Sequence, residues 1–276
     1  MSATREEQET AELHDGEHGS RLRLVLDAIS DAKSVLIITG NALAREAGIM
    51  MPAITSSLEM RRCVSIEGFR EDPEGAWRWW NGRIEEIQNA RPAAGHKVLA
   101  RTQSVMKKFM IVTQTVDGLH QRAGLKNVNE LHGSLNGAHC ERCDKKMTLK
   151  GPLEMADIEH ECGGIFRPSV VLEGERLSAS AFGHAVMAAQ RAGVIISIGM
   201  DNVTMPIAAL LEPRGNKPFV VDINMRPNFG TSPAMVTLPY SPSAFLVAMV
   251  GHLESQQEPK SKKRWMGQSP VLGLSI

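Results

Sequence analysis

Ile111-Val-Thr-Gln-Thr-Val-Asp-Gly-Leu-His-Gln-Arg-Ala-Gly-Leu-Lys-Asn-Val-Asn-Glu-Leu-His-Gly133 is the stretch from which the rest of the chain is read. The apolar run Phe109 to Thr113 predicts a buried strand that empties into a polar turn carrying Gln114, Asp117 and His120. A second extended segment, Asn127 to Leu131, delivers His132 beside Gly133. An imidazole is thereby set near an amide and a carboxylate at the C-terminal ends of strands, where open α/β sheets take their ligands. Imidazole is also the side chain best matched to proton transfer near neutral pH.

Outward from this stretch, apolar runs and helical periodicities alternate. Leu22, Leu24, Val25, Leu26, Ala28 and Ile29 predict a helix over residues 21–32, and Ser34 to Thr39, ending in Gly40, predicts a central parallel strand. A short helix follows from about Ala42 to Ala47. Residues 56–103 are helical in pattern, with Trp77, Trp79 and Trp80 expected to pack a small core. After residue 165 the alternation resumes: helix 179–192, strand 194–199, helix 203–212, strand 219–223 and a closing helix 241–254. This order predicts an α/β fold with a doubly wound parallel sheet. The acid-rich residues 1–19 are expected to be a disordered leader, and Lys260-Ser-Lys-Lys-Arg-Trp265 a solvated basic tail within residues 255–276.

Between Ala138 and Ile165 the pattern breaks, and a compact insertion is expected there. Cys140-x-x-Cys143 is followed, fifteen residues later, by Glu159-His160-Glu161-Cys162-Gly163-Gly164. That is zinc-ribbon spacing with Glu159 in the place of the third thiol. The predicted ligands of a structural zinc are Cys140, Cys143 and Cys162, with Glu159 or His160 as the fourth.

Bulk composition excludes several classes. Lys+Arg and Asp+Glu are both 31, so no net field draws the chain to nucleic acid or to an anionic membrane. No apolar run approaches the roughly eighteen residues needed to cross a bilayer. The polar, acidic start is neither a secretory signal nor a transit peptide, and a cytoplasmic setting is the expectation.

The 111–133 segment closely resembles the Thr-Gln-Asn-x-Asp-Gly-Leu-His … Glu-Leu-His-Gly core of sirtuins, the NAD-dependent protein deacylases. The resemblance runs from about residue 21 to residue 253. It implies a Rossmann-like part over about 20–55, 104–137 and 166–254, with a small module over about 56–103 and 138–165, all within a domain spanning 20–254. It further implies His132 as catalytic base, Gln114 and Asp117 at the nicotinamide pocket, and Gly40, Gly199 and Asn224 along the rest of an NAD site. An acylated-lysine peptide or protein is the implied partner, bordered by Val171, Gly174 and Glu175 of Arg167-Pro-Ser-Val-Val-Leu-Glu-Gly-Glu175.

Departures from the family pattern are concentrated around the dinucleotide. Ala42 and Ala44 replace the second glycine and the serine of Gly-Ala-Gly-x-Ser. Met50, Met51, Pro52 and Ala53 replace the Pro-Asp-Phe-Arg of the loop over the nicotinamide ribose. Thr115 stands for the asparagine, Glu173 for the phenylalanine of the acyl channel, and Met200-Asp201 for Thr-Ser. A carboxylate beside a diphosphate repels it unless paired. These changes predict weakened NAD binding and a deacylase that is impaired or altered in specificity. The alternatives are a non-catalytic scaffold binding a peptide, a partner or ADP-ribose, and an NAD hydrolase or ADP-ribosyltransferase in the same pocket.

Overall fold

A computed structural model describes residues 16–50, 57–106, 108–201, 206–225 and 236–257. Six parallel strands form its main sheet: β1 (Val35–Thr39), β2 (Phe109–Thr113), β3 (Val128–Glu130), β7 (Val194–Ile198), β8 (Phe219–Ile223) and β9 (Val236–Leu238), in the order β3-β2-β1-β7-β8-β9. All five residues of β1 and of β7 are buried, as continuous apolar runs in a sheet covered on both faces require.

Alternation along these strands divides the core. Val35 and Ile37 of β1 join one cluster, while Leu36 and Ile38 join the other. The first face is covered by α1 (Gly16–Asp31), α6 (Ala94–Val105) and α10 (Pro242–Gln257); α1 contributes Leu22, Val25, Leu26 and Ile29 at helical spacing. The opposite face carries α8 (Ala179–Arg191) and α9 (Ile207–Leu211), with Ala185, Ala189, Leu210 and Leu211 against the sheet.

Helix α1 starts at Gly16, so residues 16–19 of the expected leader are helical; residues 1–15 lie outside the described residues. Likewise α10 runs on to Gln257, and the basic cluster at 260–265 lies outside them. Of the helix expected over 203–212, Ile207–Leu211 is helical, and residues 202–205 fall outside the described set.

The inserted segments pack in a third apolar cluster, which Ala44, Ile49 and Leu119 join from the main part of the chain. Helices α3 (Leu58–Val64), α4 (Ile66–Glu71) and α5 (Pro73–Asn89) pack against a three-stranded antiparallel sheet of β4 (Gly133–Cys140), β5 (Lys146–Thr148) and β6 (Phe166–Val170). Trp77 donates from Nε1 to the Phe166 carbonyl at 2.7 Å, and Trp80 to the Cys63 carbonyl at 3.0 Å. Their rings thereby bury apolar area while keeping a polar partner. The antiparallel sheet takes in residues 133–137 and 166–170 as well, which the sequence had placed with the main sheet. Because β1 pairs with β2 on one side and β7 on the other, the connections reverse direction between β1 and β7, and a crevice opens at that point.

Candidate active site

Gly40, after β1, and Gly199, after β7, face each other across the crevice floor. The Gly40 amide donates to the Ile198 carbonyl at 2.9 Å, and the Ala42 amide, in α2 (Asn41–Glu46), to the Gly199 carbonyl at 3.2 Å. A Cβ at Gly40 would stand 2.6 Å from the Gly199 oxygen; one at Gly199, where φ is +62°, would stand 2.2 Å from the Ala42 Cβ. Close packing of the two loops thus requires both glycines. The Gly40 N–H is already committed within the chain.

Beyond this floor lies a cavity of about 620 Å³ whose wall includes Gln114, Asp117, His132, Val171, Gly174 and Glu175. His132 sits between β3 and β4, held by the Leu131 amide on the Thr113 carbonyl and by the Val171 amide on its own carbonyl. Its Nδ1 lies 3.2 Å from the backbone oxygen of Gln114. A carbonyl can only accept, so the proton belongs on Nδ1 and the lone pair on Nε2. Burial lowers the pKa of the ring, and the hydrogen bond to Gln114 opposes that only in part. His132 is thus a neutral imidazole at pH 7.

Thr115 lines the same cavity, with its hydroxyl committed within the chain. It is buried, and its hydroxyl lies 2.9 Å from that of Thr113. Asp117, also buried, accepts from the Leu119 amide at 2.8 Å at the start of α7 (Leu119–Arg122), and desolvation raises its pKa. His120 lies behind the turn with Nε2 3.1 Å from the Thr39 hydroxyl and its ring edge-on to His96 at 4.9 Å. It packs and hydrogen-bonds beside the turn.

Along the channel wall, Arg167 grips Glu175 through two hydrogen bonds of 2.5 and 2.7 Å, and the same carboxylate accepts from the Leu172 amide at 2.8 Å. Glu173 is held at its backbone by the Val64 carbonyl (2.8 Å) and the Ile66 amide (3.0 Å). Glu175 therefore shapes the wall through its side chain. Met60, Val64, Trp79 and Trp80 of the helical module complete the cavity, so the tryptophans serve both the core and the site.

A second cavity, of about 720 Å³, lies on the other side of the crevice and is lined by Ala42, Arg45, Gly199 and Asn224 among others. Asp201 belongs to the walls of both cavities. Arg45 meets it with a two-pronged contact of 2.8 and 2.7 Å, and the Asn41 amide donates to it at 3.0 Å. The guanidinium holds the Asp201 carboxyl below its usual range. Asn224 donates to the Met200 carbonyl at 2.6 Å.

Away from the crevice, Cys140, Cys143, His160 and Cys162 bring one donor atom each to within 4.8 Å of one another. Zinc bond lengths of about 2.3 Å to sulfur and 2.0–2.1 Å to nitrogen put sulfur–sulfur and sulfur–nitrogen edges of a tetrahedron at roughly 3.8 and 3.6 Å. The observed Cys140–Cys162 and Cys143–His160 separations are 3.6 and 3.5 Å, so the donor set fits that ion. Glu159, the other candidate for the fourth place, is exposed and outside the cluster, in an isolated bridge with Ile165.

The model of the Sir2 family matches residues 46–206. The chain is 34% identical over 212 residues to NAD-dependent protein deacylase 2 of Pyrobaculum aerophilum, covering 74% of this chain and 84% of that one. The chain belongs to the Sir2 family. A further Sir2 relative, the NAD-dependent protein deacylase of Thermus thermophilus, is 30% identical over 243 residues, 85% of this chain and 92% of its own. Among solved structures, a Sir2 homologue–NAD complex superposes with TM-score 0.77 at 28% identity, covering 85% of this chain and 94% of its own. A Sir2 complex with an inhibitor, 2′-O-acetyl-ADP-ribose and a deacetylated p53 peptide gives 0.69 at 27% identity, covering 83% and 97%.

Within the Sir2 frame, the structure adds residues that the sequence reading passed over: Arg45 and Asn41 as partners of Asp201, and Arg167 as the partner of Glu175. No motif signals the first pair, since 156 residues separate Arg45 from Asp201. The lid positions Met51, Pro52 and Ala53 lie outside the described residues.

Proposed function

We propose that this chain is a Sir2-type NAD-dependent protein-lysine deacylase with slowed or redirected catalysis. One observation carries the reading: His132 is held through Nδ1 by the Gln114 carbonyl, so that its basic Nε2 serves a cavity shared with Gln114, Asp117 and Val171. A crevice at the sheet's reversal point, with a cavity on either side, suits an elongated two-ended ligand. Gln114 and Asp117 would hold the nicotinamide end, and Gly199 and Asn224 would border the adenosine end. NAD, when bound, supplies an electrophilic ribose carbon with nicotinamide as its leaving group.

The chain's own part is positioning and proton transfer. With NAD bound, Nε2 of His132 would be placed to take the proton from a ribose hydroxyl, the base role that acyl transfer to that oxygen, with the lysine amine as leaving group, would need. Such general-base assistance is worth about 10²- to 10⁴-fold. An extended acyl-lysine peptide would lie along Val171 and Gly174, with the backbone of Gly174 as its pairing edge. Glu173 then sets a carboxylate beside the acyl channel and favours acyl groups ending in a hydrogen-bond donor. The zinc set of Cys140, Cys143, His160 and Cys162 would be structural, remote from the base, and its three thiols suit a reducing compartment such as the cytoplasm.

A specific observation favours a second reading, a non-catalytic scaffold: the Arg45–Asp201 bridge stands in the crevice, and the Thr115 hydroxyl is engaged by Thr113. Nicotinamide release from NAD, with and without an acetylated peptide, separates the readings. Peptide-dependent release that His132→Ala abolishes is expected. Release without peptide would mark a hydrolase or ADP-ribosyltransferase, and no release by wild type would leave the scaffold.

A further inference from the structure

Arg45 and Asp201 come from opposite lips of the crevice, one from α2 behind β1 and the other from the loop behind β7. Asp201 is shared by both cavities, so a ligand reaching from the His132 side to the Asn224 side must pass its carboxylate. We propose that Arg45 is the residue through which this chain holds a diphosphate, and that Asp201 is its built-in competitor, occupying the guanidinium until a dinucleotide displaces it. The proposal rests on the reading of the crevice as a dinucleotide site.

Three features of the geometry carry it. The guanidinium presents two N–H groups to the two oxygens of Asp201, at 2.8 and 2.7 Å. Two oxygens of a phosphate offer the same fork, so a carboxylate and a phosphate are alternative occupants of one donor face. Secondly, the side chains are 42% and 44% exposed. An ion pair so open to water is worth little, and a dianion can replace it. Thirdly, the charge balance at the narrowing offers an incoming anion nothing while the pair is intact. Arg45 and Asp201 cancel, and the neighbouring Glu46, engaged by the Ser243 hydroxyl, adds a further carboxylate. Displacement of Asp201 leaves both guanidinium N–H groups facing the incoming anion, with the Asn41 amide freed as an additional donor.

The pair also accounts for a residue pattern that is otherwise hard to reconcile with a dinucleotide. Asp201 is an acid in a phosphate-binding region, and the Gly40 amide is spent on Ile198. Arg45 supplies the missing positive charge from α2.

Calorimetric titration of ADP-ribose into the full chain tests this without requiring turnover. Asp201→Asn preserves shape and the Asn41 contact while removing the charge. It should bind ADP-ribose roughly tenfold more tightly than wild type and lose affinity more steeply with added salt. Arg45→Gln should bind roughly tenfold more weakly, and the double variant should resemble Arg45→Gln. Wild type that binds while Asp201→Asn binds no better would overturn the competitor role; Arg45→Gln at wild-type affinity would overturn the clamp. If neither wild type nor Asp201→Asn takes up ADP-ribose, the dinucleotide reading itself fails, and this proposal with it.

Discussion

The imidazole of His132 is fixed by the main chain of Gln114, with Nδ1 3.2 Å from a carbonyl that can only accept. The contact joins the end of β2 to the start of β4, the seam between the large sheet and the small module. It settles tautomer and ring orientation together, leaving the lone pair on Nε2.

A pH profile follows from that contact. Burial lowers the His132 pKa below its ordinary value of 6.5. A base is active when deprotonated, so turnover should stay flat from pH 8 down to about 6.5 and fall only at lower pH. His132→Ala should cost about 10²-fold or more in kcat. An acid limb centred above pH 7, or one that His132→Ala leaves in place, would assign the titration to another group.

Thr115 is buried against Thr113 and offers no amide to a ribose. If the position limits the chemistry, Thr115→Asn should raise the peptide-dependent rate by roughly ten- to a hundredfold. The gain should appear in kcat, since an orienting group acts on the reacting atoms. Unchanged kcat in a folded variant would place the defect elsewhere.

How far the sequence could be read depended on how local each signal is. Strands β1, β2, β7 and β8 were legible because covered strands of a parallel sheet are short apolar runs, whereas β3, Val128-Asn-Glu130, is half-buried and was legible only as an extended segment leading to His132. Strand β9 was missed: Val236-Thr-Leu238 is three residues long with only Leu238 buried. The first turn of α1, Gly16-Glu-His-Gly, carries no apolar stripe, and its helicity comes from continuation of the packed turns after it. At the site, motif residues could be named, whereas partners could not. Asp201 was recognisable as a charge needing a counter-ion, but that Arg45 provides it depends on the β1–β7 crossing. His160 prevailed over Glu159 because the turn into Cys162 directs one of two neighbouring side chains at the thiols.

The four-donor cluster predicts about one zinc per chain, removable by a strong chelator with loss of the small module's order. Cys162→Ser and His160→Ala should each lose the metal and lower Tm by several degrees. His160→Cys should retain it, and so should Glu159→Ala. Metal content by atomic emission checks all four, and loss of zinc in Glu159→Ala alone would reverse the assignment.

Arg167 is 4% exposed and its counter-ion Glu175 27%, so the pair is largely shielded from water. Removing the acid alone leaves a buried cation facing only the Val170 carbonyl among its observed acceptors. Glu175→Ala should therefore cost about 3 kcal/mol or more in urea unfolding. Arg167→Met combined with Glu175→Leu should recover much of it. Equal destabilisation in the single and double variants would show that the ion pair is not what holds the wall.

His96 and His120 make the acid limit of stability predictable. Both are buried, His96 has no hydrogen-bond partner at either ring nitrogen among the described residues, and the rings meet at 4.9 Å. Desolvation lowers His96 to about 4 and His120 to about 3, the latter helped by repulsion from His96. In the unfolded chain both return towards 6.5, so at lower pH that state binds more protons than the native one. Stability should thus be undiminished by these groups above pH 6.5 and should fall steadily below it. Each is expected to cost roughly 2 to 3 kcal/mol by pH 4.5. His96→Leu removes one titration and an unsatisfied pair of nitrogens, so Tm at pH 7.5 should hold or rise while the drop to pH 4.5 shrinks by about half. A Tm–pH curve with the same slope in wild type and His96→Leu would mean that the pair is hydrated in solution and does not set the acid limit.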